Sequence, residues 1–374
     1  MAATAALSER IGVTRLANLT GLDRIGYPVV AAIRPMSRNL TVSMGKGDTI
    51  AHAEMSALME AAELNFSEAP AVPSRFAAFD DMPPGTALDP SRLAEPHSGP
   101  LGALLLQWVE GRYIDSGHPV WVPWPAISMD FTEEALKQPC VFRSSGTGLA
   151  ADTSRASAVL HGLLEVVERE AHVHWNELEN AARFKTLVDP DRVEDERTRA
   201  LLARIQAAAL HVFIWDLTCR DGLPCYMVEI VDFAAHATTP FAQGAAAHIN
   251  AGLALHKALA EALQVRLTYI SGSRDDLGWD EYDGRFAAVV ENRRGIAIRH
   301  QGRHPSVAGI DSSGDPGGAI STILLKLGDA ATSALAVDLT PPDAEMAAVK
   351  VMIPSARDTP DSNHYHLQRI MGRA

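Results

Sequence analysis

Three segments of the chain repeat one hydrophobic and polar design. Ser56-Ala-Leu-Met-Glu60-Ala-Ala-Glu63, His161-Gly-Leu-Leu-Glu165-Val-Val-Glu168 and Lys257-Ala-Leu-Ala-Glu261-Ala-Leu-Gln264 each set a polar residue, a carboxylate four positions on, and a second polar group three further. Offsets of four and three fall on one stripe of a helix, so the pattern predicts three helices with an acidic line beside an apolar face. Glu60/Glu63 and Glu165/Glu168 then stand as like charges at i,i+3, a penalty of roughly 0.2–0.5 kcal/mol per pair. A cation shared between helices would remove it.

Other elements follow from punctuation. Turns around Gly21 and Gly26 feed an apolar strand that ends before Pro35, and a strand over roughly Leu40 to Met44 leads through Gly45-Lys46-Gly47 into the first octet helix from about Thr49. Residues 66–100, rich in Pro, Ala and Asp, read as a surface excursion. Strands are expected at Leu104 to Trp108 and Pro119 to Val122. Phe142-Arg143-Ser144 and Ser145-Gly-Thr-Gly148 form a small-residue loop running into the second octet helix, a setting that offers backbone N–H groups to an anion. Residues 189–207 read as a charged exposed helix. His211 to Asp216 and Pro224 to Val231, joined by Arg220-Asp221-Gly222, read as a β-hairpin. The third octet helix runs from Leu253 to about Ser271 and stops at Gly272. Gly309 to Gly318 reads as a loop, Ala347 to Ile353 as a strand, and 354–374 as a polar tail. Strands mix with helices throughout, which makes the fold class α/β or α+β.

At 374 residues the chain is long enough for one large domain or two moderate ones. Hydrophobic residues at 47% and charged residues at 21% are ordinary globular usage, and no apolar run reaches the ~18–20 residues a membrane span requires. A net charge of −13 argues against a nucleic-acid footprint, which needs clustered Lys and Arg. It leaves room for a nucleotide whose phosphates reach acidic groups through divalent metal. The three cysteines, Cys140, Cys219 and Cys225, give no disulfide framework, and with no signal peptide a reducing cytoplasm is expected.

The chemistry has a bland and a sharp reading. Glu at i and i+3 on a single helix is most often a solvated face; three matching helices point to a shared metal and nucleotide site, because carboxylate oxygens suit Mg²⁺. Lys46 is not a Walker lysine, since the first glycine and the following Ser or Thr are missing. Arg169 and Arg266 can each serve as a phosphate fork donor or pair with a carboxylate on the helix surface. His172 and His174 lack zinc spacing, Cys219 and Cys225 form neither a redox pair nor a zinc knuckle, and no Gly-x-Ser-x-Gly elbow is present.

These landmarks together resemble the YcaO family, ATP-dependent enzymes that activate backbone amides of peptides. The resemblance runs through Thr14-Arg-Leu-Ala-Asn-Leu-Thr-Gly-Leu-Asp-Arg-Ile-Gly-Tyr-Pro-Val, Gly45-Lys46-Gly47, the three octets, Ser145-Gly-Thr-Gly-Leu-Ala and Gly272-Ser-Arg-Asp-Asp. The opening segment looks most like the branch that works beside a TfuA-like partner. The resemblance implies a single YcaO-like α/β (α+β) domain over 1–374, core motifs within about 12–290, with the three acidic-stripe helices around one nucleotide site. It implies that Lys46, Ser56, Glu60, Glu63, Glu165, Glu168, Arg169, Lys257 and Glu261 serve ATP and Mg²⁺, with Glu60, Glu63, Glu165 and Glu168 toward the metal. Lys257 stands where the family usually has arginine.

The activity implied is transfer of a phosphoryl group to a peptide amide oxygen, followed by attack of a nucleophile and loss of phosphate. The azoline-forming members resemble each other in a proline-rich C-terminus, and Gln368 to Ala374 is not of that kind, so thioamide formation is the expected outcome ahead of azoline. The expected partners are a precursor peptide in a natural-product pathway and a TfuA-like or leader-binding protein, since the chain begins at the domain itself. No nucleic acid and no membrane partner is expected, and a homodimer is left open. Three positions depart from the family's pattern: Leu64 in place of Arg, Thr153 in place of Asn and Ser157 in place of Glu. Loss of a carboxylate weakens Mg²⁺ binding, so a non-catalytic scaffold binding a peptide or partner enzyme is the alternative.

Overall fold

A computed structural model describes residues 2–69, 72–93, 99–136, 141–142, 145–219, 221–234, 237–278, 282, 284, 286–299, 302–305 and 315–357. Cys140, Arg143, Ser144, Arg220, most of the 309–318 loop, and His364 and His366 in the tail lie outside these residues. In chain order the elements are α1 (Ala2–Ile11), β1 (Arg15–Asn18), β2 (Val29–Ile33), β3 (Val42–Lys46), α2 (Ile50–Phe66), β4 (Ser74–Ala78), β5 (Leu105–Tyr113), β6 (Pro119–Pro123), α3 (Glu133–Leu136), β7 (Leu149–Asp152), α4 (Arg155–Glu177), α5 (Asn180–Phe184), β8 (Leu187–Val188), α6 (Glu196–Ala207), β9 (His211–Asp216), β10 (Cys225–Val231), β11 (Phe241–Ala247), α7 (Ala251–Ser271), α8 (Ala287–Arg299), α9 (Pro316–Leu327), β12 (Leu335–Asp338) and β13 (Ala347–Met352). The chain divides into two compact units, one of Met1–Pro35, Val42–Leu58 and Ala171–Ser312, the other of Met36–Thr41, Met59–Glu170 and Ser313–Ala374.

The first unit holds two antiparallel sheets, β1-β2-β3 and β11-β10-β9-β8. Every residue of β10 is buried, as a central strand covered on both faces demands. Helix α7 packs on β10 and β11 and also on β3. Its residues Ala254, Leu255, Ala258, Leu259, Ala262 and Leu263 share one apolar core with Val29, Met44, Ile214, Val228 and the α6 residues Leu201 and Ile205. Asn250 caps α7 by accepting from the Leu253 N–H at 2.9 Å, and Gly272, at φ 56°, ends it. Both boundaries are those the sequence predicts to within two residues.

The second unit is built on the sheet β4-β5-β12-β13-β7, with β6 also paired to β5. Here the Pro-rich stretch does more than cover the surface. Ser74–Ala78 pairs with Val109 to Leu105, and Met82 joins Leu101, Leu106, Trp108, Ala126 and Phe142 in a buried cluster. Two further sequence expectations change. The small-residue loop enters β7 first, and α4 begins only at Arg155; Gly317 and Gly318, read as loop, lie in the first turn of α9, where Asp315 accepts from both of their N–H groups.

Candidate functional site

Close backbone approach sets the first half of the candidate machinery. A Cβ on Gly45 would lie 2.0 Å from Ala57 N, and one on Gly244 would lie 2.2 Å from Ala262 N. Both positions therefore have to be glycine for β3 to meet α2 and for β11 to meet α7 at this distance. The two contacts fix the helices beside Ser56 and Glu261. Lys46, the residue after Gly45, then reaches α7: its Nζ is 3.7 Å from Glu261 Oε2 and donates to Gln264 Oε1 at 3.2 Å. The Gly-Lys-Gly turn and the third octet are thus brought together. Lys257 lies exposed on the same helix and Ser56 half-buried on α2.

A polar network secures that turn. Asp48 pairs with Arg197 and accepts from the Tyr27 hydroxyl at 3.3 Å, while His256, 5% exposed on α7, has Nε2 3.4 Å from Asp48 Oδ1 and Nδ1 3.4 Å from Thr198 Oγ1. Thr198 donates to Asp195 at 2.6 Å. Burial alone would raise the Asp48 carboxyl, but the hydrogen bond and charge of Arg197, joined by His256, hold it below the ordinary range. Hydrogen bonds from Thr198 lower Asp195. Burial, reinforced by Arg197, lowers His256, and burial with the Asp48 carboxylate pushes the Tyr27 phenol up. None of these four was singled out from the sequence. The Gly47-Asp48-Thr49 turn before a helix was the available signal, and the Asp48 partner His256 lies 208 residues away.

In the second unit, Arg169 lies between the stripe carboxylates of α4, with NH2 3.4 Å from Glu165 Oε1 and NH1 3.6 Å from Glu168 Oε1. It supplies, from the same helix, the neutralising charge that the i,i+3 pair calls for. Glu165 Oε2 accepts from the Gly148 N–H at 3.1 Å, and Glu63 Oε1 accepts from the Ala151 N–H at 2.9 Å. The loop amides read from sequence as an anion cradle are therefore largely engaged: Thr147 N–H binds Ser145 Oγ, Gly148 N–H binds Glu165, and Leu149 N–H binds the Gly146 carbonyl. Glu60 is half-buried on α2.

Arg266 is not a phosphate donor. It is 4% exposed, its Nε donates to Asp23 at 3.0 Å and its NH1 donates to the Thr239 carbonyl at 2.8 Å. Two residues beyond Gln264 on a helix is about 200° of rotation, which turns the side chain from the stripe into the interior.

Among the described residues no group of three or more His, Cys, Asp or Glu side chains is placed to hold a metal ion by itself. Magnesium on a nucleotide asks for less: one or two carboxylates per ion, with phosphate oxygens and waters completing the octahedron. Half-buried Glu60, Glu63 and Glu165 and buried Glu168 are donors of that kind, so the donor chemistry fits a magnesium nucleotide rather than an all-protein cage. Among the described residues no helix is long and apolar enough to cross a membrane.

Comparison with known proteins places this arrangement in a family. The chain is 34% identical over 270 residues to a protein of Methanothermobacter thermautotrophicus, covering 71% of this chain and 68% of that one. It is 34% identical over 275 residues to a protein from the tfuA 3′ region of Rhizobium leguminosarum bv. trifolii, covering 71% of this chain and 64% of that one. Three solved structures share the fold. A heterocyclase in complex with substrate and cofactor matches at TM-score 0.73 and 16% identity over 99% of this chain, which spans 55% of that one. YcaO from Methanopyrus kandleri, bound with AMPPCP and Mg²⁺, matches at 0.66 and 22% identity, covering 94% and 88% of the two chains. The Escherichia coli microcin synthetase McbBCD complex with pro-MccB17 bound matches at 0.67 and 16% identity, covering 91% and 88%. A family model described as YcaO cyclodehydratase, ATP- and Mg²⁺-binding, matches residues 44–357, and the chain accordingly belongs to the YcaO family.

Proposed function

We propose that this protein activates a backbone amide of a peptide by O-phosphorylation with ATP and Mg²⁺, and that external sulfide completes the reaction as a thioamide, with azoline formation as the second outcome of the same activation. The observation that carries the reading is the family match over residues 44–357, which takes in Lys46 and all three octets. We assign Lys46, Ser56, Glu60, Glu63, Glu165, Glu168, Arg169, Lys257 and Glu261 to the nucleotide and metal. Glu60, Glu63, Glu165 and Glu168 would hold Mg²⁺, which when bound neutralises phosphate charge and polarises the transferring group. Lys46, steadied by Glu261 and Gln264, supplies a point charge to phosphate, and Arg169 balances the carboxylates beside it. The amide oxygen takes the γ-phosphoryl group, ADP leaves, and the amide nitrogen gives up its proton. Sulfide then adds at the activated carbon, and phosphate departs with the former amide oxygen.

The relative from the tfuA region supports a TfuA-like partner for sulfide delivery, and the microcin synthetase complex supports a precursor peptide presented with partner proteins. We place this chemistry in a ribosomal peptide natural-product pathway, in a reducing cytoplasm. A second reading, a scaffold without catalysis, draws on Leu64, Thr153 and Ser157: the Thr153 hydroxyl donates to Asp152 at 3.0 Å, and the Ser157 hydroxyl accepts from Ser154 at 2.9 Å. Mass spectrometry of the precursor peptide after incubation with protein, partner, ATP, Mg²⁺ and sulfide separates the outcomes. Exchange of oxygen for sulfur is expected, and loss of water would indicate azoline. A peptide modified equally well by the Glu60→Gln variant would favour the scaffold.

A further inference from the structure

Lys350 is 3% exposed in the middle of β13, between β12 and β7. An ammonium group so placed is costly unless hydrogen bonds replace its water. Its Nζ donates to the Ser145 carbonyl oxygen, at the start of the loop that precedes β7. The next β13 residue holds the other end, as the Val351 N–H donates to the Gly148 carbonyl at 2.8 Å. Inside the loop, Ser145 Oγ accepts from the Thr147 N–H at 3.1 Å. Gly148 turns its own N–H onto Glu165 Oε2 at 3.1 Å, and the other oxygen of that carboxylate faces Arg169. A chain of contacts therefore runs from a buried cation on β13, through a four-residue loop, to one carboxylate of the second octet.

We propose that Lys350 is a positioning residue for Glu165: it holds the loop 145–148 so that the Gly148 N–H fixes the carboxylate in the orientation used toward the magnesium nucleotide. This rests on the reading of Glu165 as a nucleotide-site residue. The path from Lys350 to Glu165 runs through Ser145 and Gly148, so loss of Lys350 should act on metal-dependent binding and add little once Glu165 is gone. Residues that orient ligands of a metal commonly alter its affinity by about 10–100-fold.

The test is binding of a non-hydrolysable ATP analogue as a function of Mg²⁺, together with amide hydrogen exchange over 145–149, in wild type, Lys350→Met, Lys350→Arg, Glu165→Gln and the double variant. Lys350→Met should raise the Mg²⁺ concentration for half-saturation about tenfold and speed exchange at Gly148. Lys350→Arg should recover most of both and serves where the Met variant does not fold. The Lys350→Met/Glu165→Gln double variant should bind no worse than Glu165→Gln alone. Additive penalties, or an unchanged Mg²⁺ midpoint in Lys350→Met, would overturn the proposal. A wild type that binds no analogue overturns the nucleotide reading instead, and unchanged exchange at Gly148 then overturns the hold of Lys350 on the loop independently.

Discussion

Gly45→Ala should damage this protein more than any other single methyl addition in its β-strands, with Gly244→Ala beside it. The added Cβ would lie 2.0 Å from Ala57 N, 2.3 Å from the Ala53 carbonyl oxygen and 2.6 Å from Ala57 Cα. Ordinary contact begins at 3.4 Å, so β3 and α2 must part by about 1.4 Å. All three obstacles are backbone atoms, and no rotamer change relieves them. Overpacking costs about 1–3 kcal/mol, and a backbone obstacle puts this case near 3 kcal/mol. A unit of 150–250 residues loses ~2–4 °C per kcal/mol, so the melting midpoint should fall by about 6–12 °C. Analogue binding should weaken as well, because Lys46 and Ser56 flank the displaced contact. Gly21→Ala is the control: nothing lies within 4 Å of a Cβ there, and the change should be within about 0.5 kcal/mol. The assay is thermal unfolding followed by circular dichroism. A Gly45→Ala curve that overlays those of Gly21→Ala and wild type would refute the close-packing argument.

Two other outcomes are expected. Asp23→Ala strands the buried Arg266 guanidinium, whose partner is only 3% exposed in its side chain, and should cost about 3–5 kcal/mol in urea unfolding; a loss under about 1 kcal/mol would show that water reaches Arg266. Acid should destabilise the first unit in two steps. The folded-state value of His256 is below its ordinary 6.5, so the unfolded chain binds the proton first and stability falls as pH drops from 6.5 toward the lowered value. Asp48 and Asp195, lowered from 3.8, contribute stability present above that pH and lost as pH falls through their folded values. Urea midpoints across pH should show both steps, and His256→Asn should remove the upper one; a His256→Asn profile identical to wild type would contradict the assignment.

The helices were legible because their signal is local. Offsets of four and three with apolar filling made the octets visible, and Gly272 marked the end of α7 where the structure ends it. The hairpin β9–β10 was equally plain, since His211–Asp216 and Cys225–Val231 carry β-branched and aromatic runs on either side of a turn. Strand β11 was not: Phe-Ala-Gln-Gly-Ala-Ala-Ala has little β-propensity, and what makes it a strand is the smallness that lets α7 lie against it. Strand β4 was hidden by the prolines around it, α8 has no apolar stripe, and α9 opens on Pro316-Gly317-Gly318, which reads as a turn. Lys46 stood out between its glycines, but the residues it meets, Glu261 and Gln264, are more than 200 residues on. Arg266 and Lys350 show the limit best. Each is a cation in a regular element, and only a partner far along the chain, Asp23 for one and Ser145 for the other, shows which way it points.

The most direct test of the central claim is isothermal titration with a non-hydrolysable ATP analogue, with and without Mg²⁺, on wild type, Glu60→Gln and Glu165→Gln. Micromolar binding that requires Mg²⁺ and is weakened at least about tenfold in both variants is the predicted result. An absence of binding at millimolar analogue with Mg²⁺ present, or binding indifferent to both substitutions, would contradict it.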